Sequence, residues 1–283
     1  MITLNLREVP PWWARFRPTA HYLMQTEAHV YALAVAASTL LSFFPFLLVM
    51  VSLCRDVLHW RAAQDAIDLA LRDFFAGEPG TFIVNNLHAY WFTVSAKVNI
   101  ASLFLLLFTA NGIFEPLEVA LNRAWGVVSN RSYLKNQLIS LGLIFACGAL
   151  ALASLMLTGL NAQWLSQWEG SHAGITVWIK LALFKVAALP VSILALFLVY
   201  WLLPNRKIDP VRVAPVALWV GLMLEGLKYV NLLVAPLLTQ KFNQEYFIFQ
   251  HSVTILVWSF VATLVVLAGA HWTARHDSAD PLS

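Results

Sequence analysis

Charge is what this sequence has least of. Only 12% of its 283 residues are Asp, Glu, Lys or Arg, about half the share usual in soluble globular domains. Polar groups are therefore too scarce to cover a water-soluble surface. Cysteine is nearly absent too. Cys54 and Cys147 are the only two, which excludes a disulfide scaffold. No HExxH, Walker loop, GxGxxG before a helix, nucleophile elbow or Cys/His metal cluster occurs, and the eight histidines are scattered, mostly at the ends of apolar runs. Without those spacings, no hydrolase, dinucleotide or metal chemistry is indicated. The expectation is a protein that is not an enzyme and has no cofactor. No basic soluble domain is present to hold nucleic acid.

What is there is apolar: 60% of the residues are hydrophobic and the mean hydropathy is +0.70. A hydrocarbon core of roughly 30 Å takes about 20 apolar residues in a helix. Six stretches meet that need, at about 28–54, 98–116, 136–160, 176–203, 213–234 and 251–272. No alternating barrel strands are visible, and a lipid-facing backbone must satisfy its own hydrogen bonds, so helices are predicted. The fold class is all-α, a polytopic membrane protein in one six-helix domain over 28–272. A segment 1–27 precedes it, an outer loop 55–97 follows the first span, and 273–283 forms a short tail. The first 27 residues lack the apolar core of a cleavable signal, so the first span is expected to remain as an anchor.

Six spans place both termini on one side together with the loops near 118–135 and 204–212. That side gathers Arg7, Arg15, Arg17, Arg123, Arg131, Lys135, Arg206, Lys207, Arg212 and Arg275. The other side has Arg55, Arg61, Arg72, Lys97 and Lys241. The positive-inside rule then predicts cytoplasmic termini.

Two segments outside the spans mix aromatics and charge. Trp12, Trp13, Phe16 and Tyr22 alternate with Arg15, Arg17 and His21, either as an interfacial anchor or as a positive flank that orients the first span. In the outer loop, Arg61, Asp65, Asp68 and Arg72 recur at helical spacing opposite Ile67, Ala70, Leu71, Phe74 and Phe75. That pattern is an amphipathic helix, and the loop is expected to fold back onto the membrane as a cap.

Polar groups within spans are costly and mark interiors or wet cavities. Asn111, Glu115, Glu118 and Asn122 follow one another at helical spacing toward Arg123, a polar stripe that forms either a gate or a solvated helix end. Pro116 beside it and Pro45 in the first span are candidate kinks. Glu225, Lys228 and Asn231 share a face of the fifth span, and Lys180, Lys185 and His251 enter at the same level. Together they outline an outer-half cluster for an anionic substrate; the plainer alternative is a Glu225 ion pair with Lys185 or Lys228. Ala32/Ala36 and Ala34/Ser38 have small-xxx-small spacing, which leaves a homo-oligomer open.

Several segments carry a family resemblance. AVAASTLLSFFPFLLVM, ANGIFEPLEVALNRAWGV, YWLLPNRKIDPVRVAPVALWVGLMLEGLKYV and ILVWSFVATLVVLAGAHW together resemble the YihY/BrkB family of bacterial inner-membrane proteins over about residues 20–275. Ser42 and Pro45 in LLSFFP, and Leu121, Asn122, Arg123 and Trp125 in ALNRAWGV, are its most specific parts. The resemblance implies six helices and cytoplasmic termini; some members have been labelled ribonuclease BN, and transport has been suggested. The chain departs from the pattern at Gln250, His251 and His271. The leading expectation is a transporter or flippase-like permease for an anionic or amphipathic, lipid- or envelope-related substrate, with membrane lipids as its surroundings. The alternative is a non-catalytic scaffold with a protein partner.

Overall fold

The computed structural model describes residues 11–57, 59, 65, 67, 68, 71, 72, 78–91, 96–127, 131–167 and 175–278. Some side chains within these helices are outside the described set, chiefly 11–16, 91–103 and 155–188. Among the described residues every regular element is helical: α1 (Pro11–Leu23), α2 (Thr26–Ser52), α3 (Glu78–Trp91), α4 (Ala96–Ala124), α5 (Tyr133–Gln167), α6 (Ile175–Leu202), α7 (Pro210–Tyr246) and α8 (Gln250–Ser278). A π-helical turn, Leu53–Val57, prolongs α2, and a 3₁₀ turn, Phe247–Phe249, joins α7 to α8. Pro45 and Pro116 both lie inside uninterrupted helices.

Among the described residues four stretches are long and apolar enough to cross a membrane: Glu27–Arg55, Leu134–Ser154, Pro210–Asn231 and Gln250–Ala274. Leu189–Leu202 is apolar but shorter. The chain is thus a helical multi-pass membrane protein, with fewer spans assigned by length and composition than the six predicted. The predicted spans at about 98–116 and 176–203 lie partly outside the described side chains.

The long helices alternate in direction, and their packing order closes a ring. α2 lies against α4 and α8, α8 against α7, α7 against α6, and α6 against α5, which returns to α4. The starts of α2, α5 and α7 meet the ends of α4, α6 and α8 at one end of the bundle. Contacts there include Glu27–Arg123 at 2.8 Å and Arg131 on the carbonyls that follow α6. A core at that end combines Leu117 and Leu121 of α4, Leu143 of α5, Tyr200 of α6, Val213 and Val220 of α7 and Leu267 of α8. Ala28, Ala32 and Ala36 are buried at four-residue intervals along α2. Small side chains let neighbouring backbones approach, so this stripe serves packing inside the bundle and is not exposed for a second copy. At Gly112 of α4 an added Cβ would stand 2.8 Å from Ser38 Oγ. Phe104, Phe108, Leu138, Phe145, Trp219, Leu233 and Leu237 instead point outward, as a lipid-facing surface requires.

α1 is fastened to the bundle. Tyr22 stacks on His271 with ring centroids 4.6 Å apart, and Thr19 Oγ1 lies 3.2 Å from His271 Nδ1. His271, where the chain departs from the family pattern, thus holds α1 against the end of α8.

The opposite end has its own core. Leu47, Met50, Val51 and Cys54 of α2 and its π-turn pack with Ile67, Leu71, Ile83, Val84, Leu87 and Ile255. Ile67 and Leu71 are buried while Asp65 and Arg72 are exposed, the amphipathic division expected of that segment; Arg61, Ala70, Phe74 and Phe75 lie outside the described residues. The described part of 55–97 therefore packs on that end of the bundle. His88 of α3 meets Asp68 at 2.6 Å. Burial nevertheless pushes the Asp68 carboxyl above its ordinary value, against the His88 hydrogen bond and charge and the Arg72 charge, while Asp65 adds to the rise. A carboxyl raised in this way binds its proton more tightly folded than unfolded. Its stabilisation is full at low pH and declines as pH climbs through the raised value. As the pH rises above the ordinary Asp value of about 4, α3 amide protection in the wild type is expected to fall relative to Asp68→Asn. Hydrogen-exchange protection factors measured on a rising pH series check this, and parallel curves for the two proteins would refute it.

Candidate functional site

Two polar constellations interrupt the apolar interior. The first sits where α4, α5 and α6 meet. Glu118 and Asn122 are one helical turn apart on the inward face of α4 and are 4% and 6% exposed, whereas Glu115 and Arg123 face outward. Glu118 lies beyond the predicted span end at Pro116. Burial raises its carboxyl above the ordinary value, opposed by the amides of Asn136 and Asn122 and by the Arg131 charge. Asn122 Nδ2 donates to Glu118 Oε1 at 3.4 Å, and its Oδ1 accepts from the backbone N–H of Asn205 at 2.6 Å.

Arg131 completes this junction. Its Nε donates to Asn205 Oδ1 at 2.9 Å, Nη1 to the carbonyls of Leu202 and Leu203 at 3.3 and 3.2 Å, and Nη2 to that of Pro204 at 2.5 Å. A helix ends with carbonyls that lack intrahelical donors, and a cation there also suits the helix dipole. A planar guanidinium is the one side chain that satisfies three carbonyls and an amide together. Arg131 and Asn205 were not singled out by the sequence, where Arg131 is only one positive loop residue. The apolar run ending in Pro204-Asn205 is the sole local sign that exposed carbonyls follow. The expected polar stripe is therefore divided. Glu118 and Asn122 belong to a junction, Arg123 pairs with Glu27 of α2, and the side chain of Asn111 lies outside the described residues.

The second constellation lies within α7. Asn231 is buried, and Lys228 Nζ is 2.6 Å from Glu225 Oε2. With Ser192 and Leu196 of α6 and Trp258 and Ala262 of α8, these three residues line a cavity of about 260 Å³. Spacing of three residues puts each on the same face, and Gly221 keeps the α6 wall close: an added Cβ there would lie 2.7 Å from Ile193 Cγ1. The cavity is apolar except for one ion pair, one amide and one hydroxyl. It can hold a polar group against fixed charges in a water-poor setting, where such interactions are stronger than in water.

Of the other expected members of this cluster, His251 alone has a described side chain. His251 stacks on Phe82 of α3 at 4.3 Å, which ties the start of α8 to the cap and takes the ring away from the cavity. The side chains of Lys180 and Lys185 lie outside the described residues. Lys228 is neutralised by Glu225, so the described part of the cavity carries no excess positive charge. Among the described residues no three His, Cys, Asp or Glu side chains converge as metal ligands would.

Comparison with known proteins places this architecture. A UPF0761 membrane protein of Pseudoalteromonas atlantica is 23% identical over 239 residues, covering 84% of this chain and 78% of its own. One from Pseudoalteromonas translucida is 23% identical over 277 residues, 95% of this chain and 87% of its own. A third, from Chlorobium luteolum, is 25% identical over 264 residues, 91% of this chain but 60% of the longer relative. No solved structure matches the chain. The family described as virulence factor BrkB matches residues 20–281, which takes in both polar constellations and all the helices from α2 to α8, and the chain belongs to that family.

Proposed function

We propose that this protein is a six-span permease of a bacterial inner membrane, with both termini in the cytoplasm, acting on an anionic or amphipathic substrate related to lipid or envelope material. The observation that carries this reading is the Glu225–Lys228 pair opening, with Asn231, into the α6–α7–α8 cavity. An ion pair inside an apolar helix is costly to bury and is retained where charge has a task. Lys228 would receive the substrate's negative group, Glu225 would hold Lys228 until it arrives, and Asn231 would orient the remaining polar atoms. No catalytic role is assigned to any residue. The alternating helices support an even number of crossings, and the excess of Lys and Arg at the end carrying the termini supports a cytoplasmic orientation.

The test is flux in proteoliposomes. Wild-type protein is expected to speed the exposure of NBD-labelled phosphatidylglycerol to external dithionite. Glu225→Gln and Lys228→Met should each slow it on the order of tenfold, since either leaves one charge unpaired. Absence of protein-dependent flux, or flux indifferent to both substitutions, would sink the permease reading and favour a scaffold. Chemical crosslinking in cells would then have to find one stoichiometric protein partner.

A further inference from the structure

A larger concavity, of about 700 Å³, lies at the end of the bundle that carries the termini, on the outer side of the Arg131 junction. It is separate from the α6–α7–α8 cavity. Among the described residues its polar rim is formed by the cations Arg131, Arg206 and Lys207, and no carboxylate lines it. Its walls are apolar: Leu143 of α5, Trp201 and Leu202 at the end of α6, and Ile208 before α7. Trp201 and Leu202 are 38% and 36% exposed, and Leu138 on the adjoining turn of α5 is 69% exposed, so the apolar wall continues onto the lipid-facing surface. At Gly142, on the same wall, an added Cβ would have no atom within 4 Å. That glycine fronts open space, unlike Gly112, Gly221 and Gly269, which sit at close helix contacts.

We infer that this groove holds a diacyl phospholipid with an anionic headgroup, drawn from the leaflet at the termini end. Arg206 and Lys207 would take the phosphate, as basic residues between membrane helices do for acidic headgroups. Arg131, fixed by its carbonyl bonds, supplies a charge that needs no reorganisation. The acyl chains would descend along Trp201, Leu202 and Leu138 past Gly142. A soluble phosphate would use the rim and leave the apolar wall uncovered, and a zwitterionic lipid would cancel the rim's charge with its own cation. Charge and shape together select an anionic lipid.

The experiment is native mass spectrometry of the full chain released from nanodiscs of equal phosphatidylglycerol and phosphatidylcholine. One phosphatidylglycerol per chain is expected to survive detergent removal. Arg206→Gln with Lys207→Gln should lower its preference over phosphatidylcholine roughly 25-fold, from about fivefold per cation near an acidic lipid. Gly142→Leu should expel the lipid by filling the groove, and because it meets open space and improves helix propensity, the fold should survive, as circular dichroism would verify. Equal retention of the two lipids, or a preference unchanged in both variants, overturns the inference, as does displacement by an excess of glycerol 3-phosphate alone. Lys228→Met separates this site from the proposed permease cavity: lipid lost in that variant but kept in Arg206→Gln with Lys207→Gln would assign it to the cavity and refute the groove.

Discussion

Gly269→Ala is expected to cost roughly 3 kcal/mol, the upper range for overpacking a filled core, and Gly269→Leu to prevent the bundle from closing. A Cβ at residue 269 would overlap Val220 Cγ2 and stand 2.8 Å from the Tyr200 hydroxyl. Neither neighbour has room to retreat. Val220 is 2% exposed and Tyr200 3%, and the Tyr200 hydroxyl donates to the Val266 carbonyl at 2.7 Å. Moving it would break that bond inside the interior, where an unmade hydrogen bond costs about 1–3 kcal/mol. α6, α7 and α8 meet at this one glycine, so its substitution pushes three helices apart. Thermal unfolding in detergent measures the loss. Gly148→Ala and Gly226→Ala are the controls, because an added Cβ at either meets nothing within 4 Å; both should melt at or above the wild-type temperature, given alanine's better helix propensity. A Gly269→Ala melt superimposable on the wild type would show that the three helices do not meet as described.

The second large effect belongs to Arg131. Arg131→Lys preserves the charge and discards the fork. An ammonium on a flexible stem reaches one or two of the acceptors that the guanidinium holds, and the remaining carbonyls after α6 lose their donors. A destabilisation of about 3 kcal/mol is expected, from two hydrogen bonds to a charged group at about 1.5 kcal/mol each. Amide exchange over residues 202–209 should accelerate with it. Asn122→Ala should act in the same place more mildly, by about 1–2 kcal/mol, because it removes the acceptor for the Asn205 N–H and a long bond to Glu118 but leaves the fork intact. If exchange in the α6–α7 connection is unaltered in Arg131→Lys, the junction does not depend on the fork.

The contrast between Arg131 and Glu225 shows how far the sequence was legible. Apolar runs announce helices because periodicity and length are local properties, and Glu225, Lys228 and Asn231 share a face because three residues nearly complete a turn. The Arg131 contacts cross 71 to 74 positions of chain. No local pattern encodes such a meeting. Glu115 and Glu118 are likewise equivalent by spacing, yet only Glu118 is covered, since the start of α5 closes over α4 at that level and not one turn away. His251 was grouped with Glu225 by estimated depth. Depth along the bundle does not fix position around it, and His251 lies on the cap.

The contact between α1 and the end of α8 bears on how the molecule is made. Tyr22 and Thr19 find their partner in His271, 252 residues away from Thr19, and α2 rests against α8 along its length. A nascent chain emerges from its N-terminus, so α1 leaves the ribosome long before its partner on α8 exists. Thr19 and Tyr22 must wait through the synthesis of every intervening helix. Completion of α8 is then the event that closes the ring and lets α1 settle, and truncation before residue 271 would leave an inserted but unfinished bundle for the cell's membrane proteases to find.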